Sequence, residues 1–252
     1  MKSKGSAQDR AQDWAQRLVQ RVNPADAERI AKVVLKSIDQ VSSTRWGAAV
    51  ERAAALPGDV RPEKIRALTN GFARELAAAG ATAGVAAAAP AVGTAATMLA
   101  ATAELAWFTS RAGDLILTVA ALHGRPEPTL DERRAWVLAV LIYGSTAREG
   151  FSRTLNEVNT GLSPATTSRV PIATLRSVNR LMSKIIVRRY GARRGVIALG
   201  TALPMGIGAL VGGGANYMAV RALARHADEF FARLPYSAID TTAIDISGTL
   251  SP

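Results

Sequence analysis

The sequence predicts an all-α protein, a multi-helix bundle in which two Pro-bent, Gly/Ala-rich helical hairpins pack together. Three observations carry this. Apolar residues recur at spacings of 3 and 4 in nearly every segment, and no period-2 run of convincing length occurs. Helix start and stop signals bracket those segments. Two long uncharged stretches, rich in small residues, each carry a Pro near the middle, Pro90 and Pro204.

The elements follow in order. Residues 7–22 place Trp14, Leu18, Val19 and Val22 on one face. "NPADAERIAKVVLKSIDQV" opens with Asn23 as N-cap and Pro24 at the first helical position. Its apolar residues Ile30, Val33, Val34, Ile38 and Val41 define a second helix. "LPGDVRP" (56–62) is a break, followed by a third helix from Pro62 to about Ala79. A long apolar helix spans 96–124 and is stopped by Gly124. "TLDE" (129–132) is a capping box that starts a helix through Tyr143. Further helices are expected at 146–159 and 172–190, separated by the linker 162–171, with Gly191 ending the second. The second small-residue stretch, 195–220, runs into a charged helix ending near Leu234. This divides the chain into a helical lead-in (1–60), a main helical domain (61–234) and a polar tail (235–252) expected to be disordered.

Composition narrows the function. The chain has 252 residues, 48% of them hydrophobic and 20% charged, so a substantial core can form. There is no Cys, which excludes a thiolate nucleophile and Cys-based metal sites. The polar start "MKSKGSAQDRAQDWAQR" has no apolar segment of the secretory type, so the expected location is the cytoplasm or the cytoplasmic face of a membrane. The net charge is +11. From Val158 to Ala227 there is no Asp or Glu, while Arg169, Arg176, Arg180, Lys184, Arg188, Arg189, Arg193, Arg194, Arg221 and Arg225 fall there. Charge this one-sided suits an anionic partner.

No residue is charged from Leu76 to Ala103 or from Gly195 to Val220. Each run exceeds the roughly 20 residues that span a bilayer core. Length is not affinity. In the first run Val85, Val92 and Leu99 are the only large aliphatics from residue 79 onward, a gain of about 1–2 kcal/mol at the centre of a span. The second run gains about 2.5–5 kcal/mol before its Gly, Pro and Asn216 reduce it. Gly80, Gly84, Pro90 and Gly93 in the first, and Pro204, Gly208, Gly212 and Asn216 in the second, suit close helix packing instead, either in lipid or in a dry protein interior.

"RSVNRLMSKIIVRRYGARRG" sets Arg176, Arg180, Lys184 and Arg188 four residues apart, hence on one helix face. Leu175, Val178, Leu181, Met182, Ile185 and Ile186 fall on the other. With Arg189, Arg193 and Arg194 they form a candidate membrane or anion-binding stripe for anionic lipid. Nucleic acid is the weaker partner, because only Tyr190 interleaves the charges and no recognised motif is present.

A reaction is not declared. His123 sits beside a C-cap glycine, and His226 lies among Arg225, Asp228 and Glu229 on an expected surface, so neither has metal-ligand spacing. "GIGALVG" (206–212) imitates a dinucleotide fingerprint but follows Pro204 and lacks the flanking strands. There is no P-loop and no GxSxG. No catalytic residue, metal site or cofactor is expected. One polar constellation stands out: Glu104, Arg111 and Asp114 share a side of an otherwise apolar helix. It reads as an ion-pair cluster that fixes packing, or as a polar site in an apolar pocket.

"GATAGVAAAAPAVGTAATMLAATAELAWFTSRAGDLILTVAALHG…ERRAWVLAVLIYG", followed by "RRYGARRGVIALGTALPMGIGALVGGGANYMAVRALARHADEFF", resembles the EcsC protein family over about residues 60–234. The matching order is a Gly/Ala stretch with Pro, an acidic residue (Glu104) and Arg111 in the next helix, a "hG" stop, an "ER…VL" helix and an "LP…GxxxGGxxNY" segment. The acidic position is Glu here where Asp is expected to be common, and the first 60 residues are peculiar to this chain. The resemblance implies a mostly helical bacterial protein, often membrane-associated, whose founding member is encoded beside two components of an ABC transporter. It implies no established reaction. The expectation is therefore a non-enzymatic protein at the membrane, with anionic lipid and possible membrane-protein partners such as an ABC transporter. The alternative is a soluble helical protein that holds an acyl chain or other apolar ligand in a small-residue-lined interior.

Overall fold

The computed structural model describes residues 24–87, 94–158, 169–191, 213–234 and 237–239. These residues form a helical bundle with one two-stranded sheet. Helix α1 is Pro24–Thr44, starting at the expected proline, and α2 is Trp46–Ala55. Gly58, at φ +114°, supplies the left-handed backbone of the predicted break. Helix α3, Arg61–Ala87, runs well past the expected end at Ala79, because alanine, the strongest helix former, dominates the stretch and outweighs the cost of about 1 kcal/mol at each of Gly80 and Gly84. Helix α4 is Thr94–Leu122. The connection containing Pro90 and Gly93 lies outside the described residues.

Helix α4 ends as its sequence dictates. Gly124 takes φ +64°, its N–H donates to the Ala121 carbonyl at 2.9 Å, and the Arg125 N–H reaches Ala120 at 3.5 Å. This is a Schellman stop. Helix α5, Leu130–Tyr143, opens with the capping box complete: the Glu132 N–H donates to Thr129 Oγ1 and the Thr129 N–H to Glu132 Oε2. A 3₁₀ turn, Gly144–Thr146, leads into α6, Ala147–Val158. Helix α7 is Ile172–Gly191 and α8 is Gly213–Ala232.

Strands β1 (Arg169–Pro171) and β2 (Ser237–Ile239) pair in parallel, Arg169 opposite Ser237. The first falls in the expected linker and the second in the expected disordered tail. Strands of three residues leave no readable alternation, so pairing across the chain, not local pattern, creates them.

Helix α5 sits at the centre. Ala135 through Ile142 are all buried, so this part of the helix has no solvent face. Helix α1 packs on α4, α5 and α7, and α3, α4 and α8 form a three-helix unit. Arg61 lies 3.7 Å from Asp228, and the Tyr217 hydroxyl donates to Asn70 Oδ1 at 3.4 Å. Helix α8 therefore runs antiparallel to α3. Two glycines permit the closest approaches: a Cβ on Gly113 would meet Val41 of α1 at 2.7 Å, and one on Gly150 would strike the Tyr143 ring.

Candidate functional site

The predicted polar constellation falls on α4, where it joins neighbours. Arg111 Nη1 donates to Asp114 Oδ2 at 2.6 Å, one helical turn away. Arg111 Nη2 donates to Glu75 Oε2 of α3, a partner from outside the predicted set. The same guanidinium lies 4.6 Å from the Phe72 ring centroid. Arg45, in the break between α1 and α2, approaches Asp114 Oδ1 to 3.9 Å. Arg52 of α2 donates to Thr118 Oγ1 at 3.2 Å, and Thr118 donates to the Asp114 carbonyl at 2.7 Å. Asp114 is 1% exposed and Arg111 18%. The arrangement is a buried ion-pair seam that locks α2 and α3 onto α4. The side chain of Glu104 lies outside the described residues.

Beside the seam a shallow crevice is lined by Phe72, Leu76, Arg111, Leu115, Val220 and Leu223. It has no room for a water molecule.

The basic stripe is amphipathic as read. Leu175, Val178, Met182 and Ile186 are buried in the protein core, and Leu181 and Ile185 are half-buried. Arg176, Arg180, Lys184 and Arg188 are exposed. Arg176 is held by Asp131 at 3.0 Å, and Asn179 donates to the Asp131 carbonyl at 2.9 Å. Among the described residues, Arg180, Lys184 and Arg188 form no ion pair. Since α1, α5 and α6 already cover the apolar side of α7, this helix cannot turn that side toward lipid. What α7 presents to its surroundings is positive charge. Arg189 lies in α7 with its side chain undescribed, and Arg193 and Arg194 fall outside the described residues.

Of the packing residues, Gly80 and Gly84 lie in α3 and Asn216 in the first turn of α8, the Asn216 side chain undescribed. Pro204, Gly208 and Gly212 lie outside the described residues. One described helix segment, Leu105–Leu122, is long and apolar enough to cross a membrane, but 67% of it is buried within the protein. Of the uncharged run from Leu76 to Ala103, the described parts are the end of α3 and the start of α4, and residues 88–93 lie outside the described residues.

Both histidines sit at contacts between elements. His123 Nε2 pairs with Asp228 Oδ1 at 2.8 Å, tying the end of α4 to α8. Burial holds its imidazole below the usual range, against the upward pull of Asp228. His226 is not on the surface as expected. It is 9% exposed, facing the 3₁₀ turn at Gly144, and its Nδ1 has no partner among the described residues. Helix α8 is turned so that this side meets the turn after α5, a contact that sequence spacing does not encode. Burial also pushes the His226 imidazole down, helped by Arg225. No group of three or more His, Asp or Glu suited to a metal occurs among the described residues.

These shifts set a pH dependence. Both imidazoles prefer the neutral form when folded, whereas the unfolded chain titrates near ~6.5. The unfolded state then binds more protons as pH falls, so stability declines on acidification through that range. His226→Leu should flatten the decline in melting temperature between about pH 7.5 and about pH 5. It should leave stability at the higher pH equal or raised, since an unpaired buried nitrogen is removed. An unchanged slope would show that His226 does not contribute.

Comparison with known proteins finds no family model, no curated protein and no solved structure that matches this chain.

Proposed function

We propose that the chain is a non-enzymatic, membrane-associated helical protein of the EcsC type, held on the cytoplasmic face by anionic lipid. It would serve as an accessory to an ABC transporter or another envelope process. The observation that carries this reading is the exposed row Arg180, Lys184 and Arg188, unpaired among the described residues on a helix whose apolar side is already in the core. Such a row attracts headgroups without inserting. Each cation near an anionic surface contributes about 1 kcal/mol, so three contribute about 3 kcal/mol, or roughly 100-fold in affinity.

Vesicle flotation tests it. Full-length protein should float with vesicles of phosphatidylglycerol and phosphatidylcholine, and binding should weaken as salt rises. The variant Arg180→Gln/Lys184→Gln/Arg188→Gln should bind about 100-fold more weakly while melting at the parent's temperature. Equal binding by that variant would reject the row as the lipid contact.

A further inference from the structure

Five helices encircle α5. Helix α7 packs on α1, α1 on α4, α4 on α8, α8 on α6, and α6 again on α7. Phe151 against Phe230, with ring centroids 6.0 Å apart, marks the join of α6 to α8. Helix α3 lies outside this circle, on α4 and α8. In a circle of five, the side made by α4 and α8 stands opposite α7. Helix α3 and the outward side of α8 therefore face away from the α7 row.

That far side carries a second set of cations. Leu68 and Phe72 of α3 and Val220 and Leu223 of α8 are buried. Their burial turns Arg66, Asn70 and Arg74 of α3 outward at four-residue spacing, and likewise Tyr217, Arg221 and Arg225 of α8. The two ridges lie side by side, since the helices run antiparallel and the Tyr217 hydroxyl donates to Asn70 Oδ1 at 3.4 Å. Among the described residues Arg66, Arg74 and Arg221 form no ion pair, and Arg225 approaches Glu229 only to 3.9 Å. No acid lies between Glu63 and Glu75 on α3, or ahead of Asp228 on α8. Tyr217 is 39% and Met218 66% exposed beside these arginines.

The residue types suit a phospholipid surface. Guanidinium groups pair with phosphate, and an aromatic ring with an apolar neighbour settles among headgroups. Nucleic acid would use the charge and the ring but offers no apolar layer to the methionine.

We infer that the outward face of α3 and α8 is a second headgroup-binding surface, so that the protein bridges two anionic bilayers, one on the α7 row and one opposite. The inference rests on the membrane reading above for its first contact. The second contact is the weaker one. Glu63 and Glu229 stand exposed at one end of it and Glu75 at the other, whereas α7 carries no acid. It engages once α7 has gathered many copies on one surface, because linked weak contacts act at high effective concentration.

Vesicle clustering, read as light scattering, tests this. Full-length protein should cluster vesicles of phosphatidylglycerol and phosphatidylcholine, and added salt should disperse them. The variant Arg66→Gln/Arg74→Gln/Arg221→Gln should float with vesicles as the parent does and melt at the parent's temperature. Its rate of clustering should nevertheless fall about 10-fold or more. Arg66→Gln/Arg221→Gln replaces it should the triple variant not fold. Flotation of the parent without clustering would overturn bridging and leave the membrane reading standing. Undiminished clustering by the α3–α8 variant would also overturn bridging, by showing that copies held on α7 join the vesicles through one another. Binding of a fluorescent DNA duplex that this variant loses, with vesicles left unclustered by the parent, would assign the face to nucleic acid and overturn it likewise. Failure of the parent to float would overturn both readings.

Discussion

Arg111→Met should lower the stability of the folded protein by about 3–5 kcal/mol, read as a shift in the urea unfolding curve. The reason lies in what is left behind. Asp114 is 1% exposed, and its only donor at hydrogen-bond distance among the described residues is Arg111. Arg45 stands 3.9 Å from the other oxygen, too far to take over without moving. The substitution also strips Glu75 of its partner and removes the guanidinium from the Phe72 face. Removing both buried charges is a different experiment. Arg111→Met/Asp114→Leu should recover most of the loss, because an apolar pair of similar volume carries no desolvation cost. If Arg111→Met unfolds within about 1 kcal/mol of the parent, the seam does not hold α3 to α4. If the double variant is as unstable as the single, packing and not charge dominates there.

Trp136→Ala should cost a comparable amount, about 3–5 kcal/mol. Trp136 lies in the middle of α5 and is 2% exposed. Its ring meets Trp46 of α2 at 6.4 Å and Phe231 of α8 at 5.3 Å, both edge-on. Edge-on contacts of this kind add to the burial itself. Truncation therefore opens a cavity where three helices meet, and a site enclosed on all sides cannot collapse to fill it. Trp136→Phe should lose less than half as much. A thermal melt of Trp136→Ala close to the parent's would mean that α2 and α8 close over the gap.

Much of this architecture was legible because its signals are local. Thr129 and Glu132 close the capping box from four consecutive residues, Gly124 ends α4 at the position where only a left-handed residue fits, and the four-residue spacing of Arg176 to Arg188 assigns the exposed side of α7. What stayed hidden depends on distant partners. Glu75 meets Arg111 only because α3 lies along α4, and no spacing rule links residues on separate helices. His226 is buried by the turn at Gly144, and the strands exist only as a pair. The tight helix contacts at the described positions use Gly113 and Gly150, each a lone glycine in an ordinary helix.

The β1–β2 pair changes how the basic half of the chain is connected. Two three-residue strands are too small to stand alone, so they persist by riding on the helices they follow and precede. Arg169 opposite Ser237 joins the residue region just before α7 to the one just after α8. The described helices α7 and α8 lie between the paired strands, and most of the acid-free stretch, Arg169 to Ala227, falls in the same interval of the chain. The entropy of closing so long an interval rises only with the logarithm of its length. A brief clasp can therefore restrict a large cationic segment, and clipping the chain after Leu234 would set one end of that interval loose without touching a single helix.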